Sequence, residues 1–91
     1  MTGTTLQELT DKLLHGHEAE FTYNGQEYSI EPELRDGTSV IKIWKCSAEP
    51  QCIAEATVQN ETDLEVLFKT KCFLQKSFLE IENQIIVESI F

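Results

Sequence analysis

A chain of 91 residues is long enough for one hydrophobic core and short for two, so we expect a single domain covering residues 1–91. Sixteen Asp and Glu against seven Lys and Arg give a formal charge of −9, which disfavours direct contact with nucleic-acid phosphates or an anionic membrane surface. Because residues 1–14 contain neither a cationic segment nor a continuous apolar one, we expect a cytoplasmic protein without a signal peptide.

The first predicted element is an amphipathic helix over residues 5–15. Thr5 and Glu8 form the pattern of a capping box, in which each side chain satisfies a free N–H group of the first turn. Leucines then recur on one face, at Leu6, Leu9 and Leu13. Gly16 stands where a left-handed residue commonly ends a helix, so the chain should leave the helix there.

A β-hairpin over residues 17–31 is predicted next, because Asn24-Gly25 is the strongest short signal for a tight two-residue turn. That turn pairs Phe21 with Tyr28, and further along the strands it pairs Glu18 with Glu31. One face of the hairpin is then apolar, with Ala19, Phe21, Tyr28 and Ile30. The other face is rich in carboxylates, at Glu18, Glu20, Glu27 and Glu31.

Two further strands are predicted over residues 39–46 and 52–58. Pro32 should end the second strand of the hairpin, because proline donates no hydrogen bond to a sheet. The strand 39–46 carries apolar residues on both faces, so the position of its Trp44 is ambiguous, and we expect Trp44 in the core.

The remaining third of the chain predicts two short helices. Asn60 or Thr62 caps the first, and Ser77 with Glu80 repeats the capping-box pattern at the start of the second. Residues 85–91 are apolar and β-branched, which fits a helix or a strand, and we expect the end of a helix followed by a short extended segment. The expected fold class is therefore α+β, with an N-terminal helix, an antiparallel sheet of about four strands and two short C-terminal helices.

The helix followed by Glu20-Phe21-Thr22-Tyr23-Asn24-Gly25 and Tyr28-Ser29-Ile30 resembles a group of small bacterial proteins that open with a helix and an EFTYNGxxYSI hairpin. The likeness covers roughly the first third of the chain. It implies a Gram-positive bacterial host, including mobile elements of such hosts. The resemblance implies no activity and carries over no functional residues.

Metal binding and catalysis have little support in the motifs. His15 and His17 form an H-x-H pair, but the predicted helix end separates them and no third ligand lies nearby. The cysteines, Cys46, Cys52 and Cys72, lack the spacing of a zinc or redox motif. We therefore expect no cofactor and no enzymatic activity, although a site built by the fold from these cysteines and histidines stays open as an alternative.

The most suggestive feature is the carboxylate face formed by Glu18, Glu20, Glu27 and Glu31. Carboxylates this close repel one another, so the face is either a solvated surface that prevents aggregation or a surface kept for a basic partner. The leading hypothesis is a non-catalytic protein-interaction or regulatory module. A second hypothesis is an acidic DNA mimic that inhibits a nucleic-acid-binding protein. The sequence leaves the oligomeric state and the identity of the partner open.

Overall fold

Three helices and seven strands form two layers in a computed structural model that describes every residue from Met1 to Phe91. The helices are α1 (Leu6–Leu14), α2 (Glu61–Phe68) and α3 (Phe78–Ile81), the last followed by a 3-10 turn, Glu82–Gln84. The strands are β1 (Ala19–Tyr23), β2 (Gln26–Arg35), β3 (Thr38–Lys45), β4 (Gln51–Thr57), β5 (Lys71–Phe73), β6 (Lys76–Ser77) and β7 (Ile86–Ile90). The predicted α+β class is confirmed, with one more strand in the main sheet than expected.

The helix boundaries follow the predicted caps. The hydroxyl of Thr5 accepts a hydrogen bond from the Glu8 N–H at 3.1 Å, and Gly16, with a φ of 87°, follows the end of α1. Asn60 caps α2, and Ser77 and Glu80 form the full capping box of α3. None of the three helices combines the length and the apolar character needed to cross a membrane.

The main sheet is antiparallel throughout, with strand order β4-β3-β2-β1-β7. Strands β1 to β4 form a meander, and the hairpin register is the predicted one, with Phe21 opposite Tyr28 and Ala19 opposite Ile30. Asn24 and Gly25 both have positive φ, at 51° and 77°, as the tight turn requires. Strands β3 and β4 lie within one residue of their predicted bounds.

The prediction that Pro32 ends the second strand was wrong. Strand β2 continues through Pro32 to Arg35, and Pro32 stands opposite Ile41 of β3. Its other neighbour, β1, begins at Ala19, which pairs with Ile30, so β2 has become an edge strand by Pro32. An edge tolerates proline because no bond to a second neighbour is lost there.

The expected helical conformation after residue 85 was also wrong. Strand β7 runs alongside β1, with Val87 opposite Phe21 and Ile86 opposite Thr22. Its other edge is partly covered by the N-terminal segment, where the Val87 N–H donates to the Thr2 carbonyl at 2.8 Å. The β-branched side chains suit either state, and the free edge of β1 selects the strand.

No turn motif in the sequence predicts the hairpin of β5 and β6. Its two-residue turn is Leu74-Gln75, which contains neither Gly nor Asn, although φ is 50° and 72° at these positions. Such conformations are unfavourable for residues with ordinary side chains. The turn therefore holds local strain.

The core lies between the helices and one face of the sheet, which we call the covered face. Phe21 stacks on Tyr28 at 5.2 Å between ring centroids and meets Phe78 of α3 edge-on at 5.5 Å, while Phe78 stacks on Phe68 of α2 at 4.4 Å. The core residues contributed by the helices are Leu9, Leu13, Leu64, Leu67, Phe68, Phe78 and Ile81. All three helices contribute their buried residues to this single core. No helix therefore packs on the opposite face of the sheet, which we call the open face.

Candidate functional site

A row of residues crosses the middle of the open face, one from each of four adjacent strands. Glu20 of β1 stands opposite Ser29 of β2. Ser29 in turn stands opposite Trp44 of β3, which pairs with Cys52 of β4. Because Ser29 is small and only 6% exposed, the larger side chains beside it stand above it. Ser29 is thus covered by its neighbours, with Glu20 on one side and Trp44 on the other.

Carboxylates flank Ser29 on both sides along β2. Glu27 and Glu31 lie two positions before and after Ser29 on β2, which places each diagonally from Glu20 and from Trp44, at about 7 to 8 Å by strand geometry. The Ser29 hydroxyl donates to Glu31 at 2.6 Å, which fixes one of these carboxylates against the sheet. Three of the four predicted residues, Glu20, Glu27 and Glu31, therefore share one small area.

The fourth predicted residue, Glu18, lies just before β1 and outside the paired register, so its predicted position opposite Glu31 does not occur. Its backbone carbonyl accepts a hydrogen bond from the Phe91 N–H at 2.8 Å. Glu18 is exposed and stays at the margin of the open face.

Strand β7 adds a carboxylate that the sequence reasoning missed. A register shift between β1 and β7 leaves Glu88 between the paired residues Val87 and Ser89, and the hydroxyl of Thr22 donates to the Glu88 side chain. Glu20, Glu27 and Glu88 line one small hollow of about 40 Å³ together with Cys46. The alternation of Ile86 to Ile90 was the available signal, but it required knowing that this segment is a strand.

Cations neutralise a different part of the open face. The three cation contacts on the sheet join Arg35 to Glu33 at 2.7 Å, Lys42 to Glu33 at 3.1 Å and Arg35 to Glu55 at 3.6 Å. Hydrogen bonds from Arg35 and then from Lys42 lower the pKa of Glu33 below its ordinary value.

The remaining two ion pairs lie at the end of α2, between Lys69 and Glu65, and between β5 and α3, at Lys71 with Glu80. None of the five ion pairs includes Glu20, Glu27 or Glu31. Lys42 stands opposite Glu31 in the sheet, so Glu20 and Glu27 are the two of these carboxylates with no cation opposite them.

Trp44 lies on the open face, so its predicted place in the core was wrong. It is half-buried and does not belong to the core cluster, whereas its neighbour Ile43 points to the covered face and is fully buried. The ammonium of Lys42 lies 5.7 Å from the centroid of the Trp44 ring. The strand is apolar on both faces, so alternation alone did not tell which face the helices would cover.

The histidines and cysteines are dispersed. The Nδ1 atoms of His15 and His17 form hydrogen bonds with the backbone carbonyls of Asp11 and Phe91 respectively. All three cysteines are free thiols, and Cys72 lies beyond the end of the main sheet in β5, away from the row that contains Cys52. No three His, Cys, Asp or Glu side chains are grouped so that they could hold a metal ion.

The open face combines a half-buried aromatic ring with nearby carboxylates that form no ion pair. Both kinds of group attract cations. Comparison with known proteins adds nothing to this description, because no protein family, no curated protein and no solved structure matches the chain.

Proposed function

We propose that this chain is a non-catalytic binding module whose open face receives a basic segment of a partner protein. The observation that carries the proposal is the half-buried Trp44 on the open face, with Glu20, Glu27 and Glu31 nearby and in none of the ion pairs. A face serving solubility alone has no need of a large aromatic residue, which buries apolar area best against a partner.

The recognised group would be an arginine or lysine side chain of the partner. Its cation would lie beside Glu20 and Glu27, within reach of the Trp44 ring. Carboxylates held close together repel in the free protein, and a partner cation relieves that repulsion on binding. The proposal therefore accounts for an arrangement that costs the isolated chain some stability.

The net charge of −9 favours fast association with a basic partner and strong dependence on salt. We place this interaction in the cytoplasm of a bacterial cell, in keeping with the resemblance of the hairpin to small bacterial proteins. If the partner is itself a DNA-binding protein, the same face would act as a DNA mimic that occupies its basic surface.

Affinity capture of the tagged protein from a Gram-positive host, at low and at high salt, tests the proposal. We expect one basic partner that is retained at low salt and lost at high salt. The double substitution Glu20→Lys and Glu27→Lys reverses charge at the centre of the open face and should abolish capture. Trp44→Ala should weaken capture with little effect on net charge.

The matched control is Asp11→Lys with Glu65→Lys, which changes the net charge by the same amount on the helical side of the molecule. Both control residues are exposed, on α1 and α2. Equal loss of capture in both double variants would mean that only total charge matters. Capture unchanged by Glu20→Lys with Glu27→Lys would contradict the assignment of the open face.

A further inference from the structure

A second concave site lies at the end of the sheet, between the Asn24-Gly25 turn and the strained Leu74-Gln75 turn. This groove has a volume of about 320 Å³, which is near the lower limit for small-molecule sites. Its walls include Tyr23, Tyr28 and Leu74. It belongs to the covered side of the sheet and is separate from the open face.

Aromatic rings form much of this groove. Phe73 lines it and meets Tyr28 edge-on at 5.1 Å and Tyr23 edge-on at 6.1 Å between centroids. Phe73 is buried, whereas the two tyrosines are only partly buried and leave ring surface free. An aromatic ligand would extend this cluster by one further ring.

The charge of the groove is opposite to that of the chain. Lys45 lines it, directly across the strands from Tyr28, and belongs to none of the five ion pairs. No carboxylate lines the groove, although the chain has sixteen, and the other grooves of comparable size contain no lysine or arginine.

Burial keeps two other groups of the groove, Tyr28 and Cys72, protonated at pH 7. Burial, with smaller contributions from Tyr23 and Cys72, raises the pKa of Tyr28, so its hydroxyl keeps its proton. Burial raises the pKa of the Cys72 thiol to about 11. Lys45 therefore supplies the charge of the groove, and the amides of Gln26 and Gln51 add neutral polar groups to its lining.

Leu74, at the edge of the groove, gives an independent indication of a ligand site. Leu74 is 90% exposed and has a φ of 50°, so the chain both strains its backbone and leaves a large apolar side chain in water at this position. Strain of this kind tends to be found at functional sites. A ligand lying against Leu74 would remove that side chain from water.

We propose that this groove binds small aromatic carboxylates, with the ring against Tyr23, Tyr28 and Leu74 and the carboxylate at Lys45. A single lysine without a helix N-terminus or a glycine-rich loop suits one negative charge better than a phosphate group. Tyr28 and Lys45 stand directly opposite each other, about 5 Å apart between Cβ atoms, so a ring lying on Tyr28 keeps its carboxylate within reach of the flexible Lys45 side chain.

Titration of the whole protein with 2-naphthoate, followed by amide chemical shifts, tests this site. We expect saturable shifts at millimolar concentration or below, centred on Tyr23, Tyr28, Lys45 and Leu74. The neutral 2-naphthamide should bind about tenfold more weakly, because it loses the charge-assisted hydrogen bond, and acetate should not bind. Absence of saturable shifts, or equal binding of 2-naphthamide, would overturn the proposal.

Two variants separate binding from folding. Lys45→Met keeps the aliphatic stem and should reduce the affinity for 2-naphthoate to that of 2-naphthamide, whereas Lys12→Met on α1 should leave it unchanged. Replacing Leu74 with Asn and Gln75 with Gly supplies the residues that this turn prefers. That double variant should melt at a higher temperature and bind 2-naphthoate several-fold more weakly, and unchanged binding would exclude Leu74 as a contact.

The Glu20→Lys, Glu27→Lys variant should bind 2-naphthoate as the native protein does, so failure of one proposal is distinguishable from failure of the other.

Discussion

The two faces of the five-stranded sheet come from the same strands and differ in what lies against them. On the covered face, Phe21 and Ile30 pack against helices and are fully buried or nearly so. On the open face, their neighbours Glu20 and Glu31 form no ion pair, although Lys42 stands opposite Glu31. Strand alternation thus puts the packed core on one face and leaves uncovered the other, which is the face that we propose for recognition.

The largest expected effect comes from adjacent residues that point to opposite faces. Phe21→Ala removes a ring that contacts three other aromatic rings, so it should lower the free energy of unfolding by about 3 to 5 kcal/mol. Glu20→Gln removes one of several mutually repelling carboxylates and should leave stability unchanged or slightly higher. Urea unfolding of both variants measures the contrast, and a costly Glu20→Gln would mean that the open face also stabilises the fold.

A second, smaller effect concerns β7, which supplies Val87 to the covered face and Glu88 to the open face. Gly3 has a φ of 93°, and a Cβ atom there would lie 2.1 Å from the Val87 carbonyl oxygen. Gly3→Ala should therefore release the N-terminal segment and lower the free energy of unfolding by roughly 1 to 2 kcal/mol through its lost hydrogen bonds.

Amide hydrogen exchange should show faster exchange at Val87 in Gly3→Ala. Gly16→Ala is the control, because it carries the same kind of positive φ with open space around it. Normal protection at Val87 in Gly3→Ala would show that the N-terminal segment contributes nothing to the edge of β7.

Carboxylates of the open face that form ion pairs should differ from those that form none in how their contribution to stability changes at acidic pH. The pKa of Glu33 is lowered in the folded state by Arg35 and Lys42, so its stabilising contribution is present above the unfolded pKa and is lost as the pH falls through the folded pKa. Glu33→Gln should lower stability at neutral pH and reduce its loss on acidification below about pH 4. Glu27→Gln, at an unpaired position, should not lower neutral stability, and identical pH profiles for the two variants would contradict the distinction.

The smallest expected effect concerns the fluorescence of Trp44 and involves no change in stability. Trp44 is the single tryptophan, so its fluorescence reports the potential at the open face. Caesium should quench it more efficiently than iodide, because the surrounding carboxylates attract cations and repel anions. The difference should shrink in Glu20→Lys with Glu27→Lys and with added salt. Equal quenching in the native protein at low salt would show that the carboxylates do not shape the potential at Trp44.

Local chemistry made the first part of the fold predictable. The Asn24-Gly25 turn fixed the hairpin register, and the caps at Thr5, Asn60 and Ser77 fixed three helix starts. Because the register determines which side chains share a face, three of the four predicted carboxylates are indeed close together. Glu18 fell outside this group because β1 begins at Ala19, two residues later than predicted.

Features decided by distant parts of the chain were not predictable in the same way. Residues 86–90 become a strand because they pair with the free edge of β1, which lies more than 60 residues earlier in the chain. This pairing brings Glu88 to the open face. Trp44 lies on the open face because the helices cover the other face of β3, which carries Ile41 and Ile43. The turn at Leu74-Gln75 adopts conformations that its residue types disfavour, so only the surrounding structure reveals it.

The most direct test of the central claim is amide and indole chemical-shift mapping of the 15N-labelled protein with its captured partner. The account predicts that the largest shifts fall on Glu20, Glu27, Ser29 and the Trp44 indole N–H, and that they diminish with salt. Shifts confined to α1 and α2, with the Trp44 indole unmoved, would contradict it and place the partner on the helical side of the molecule.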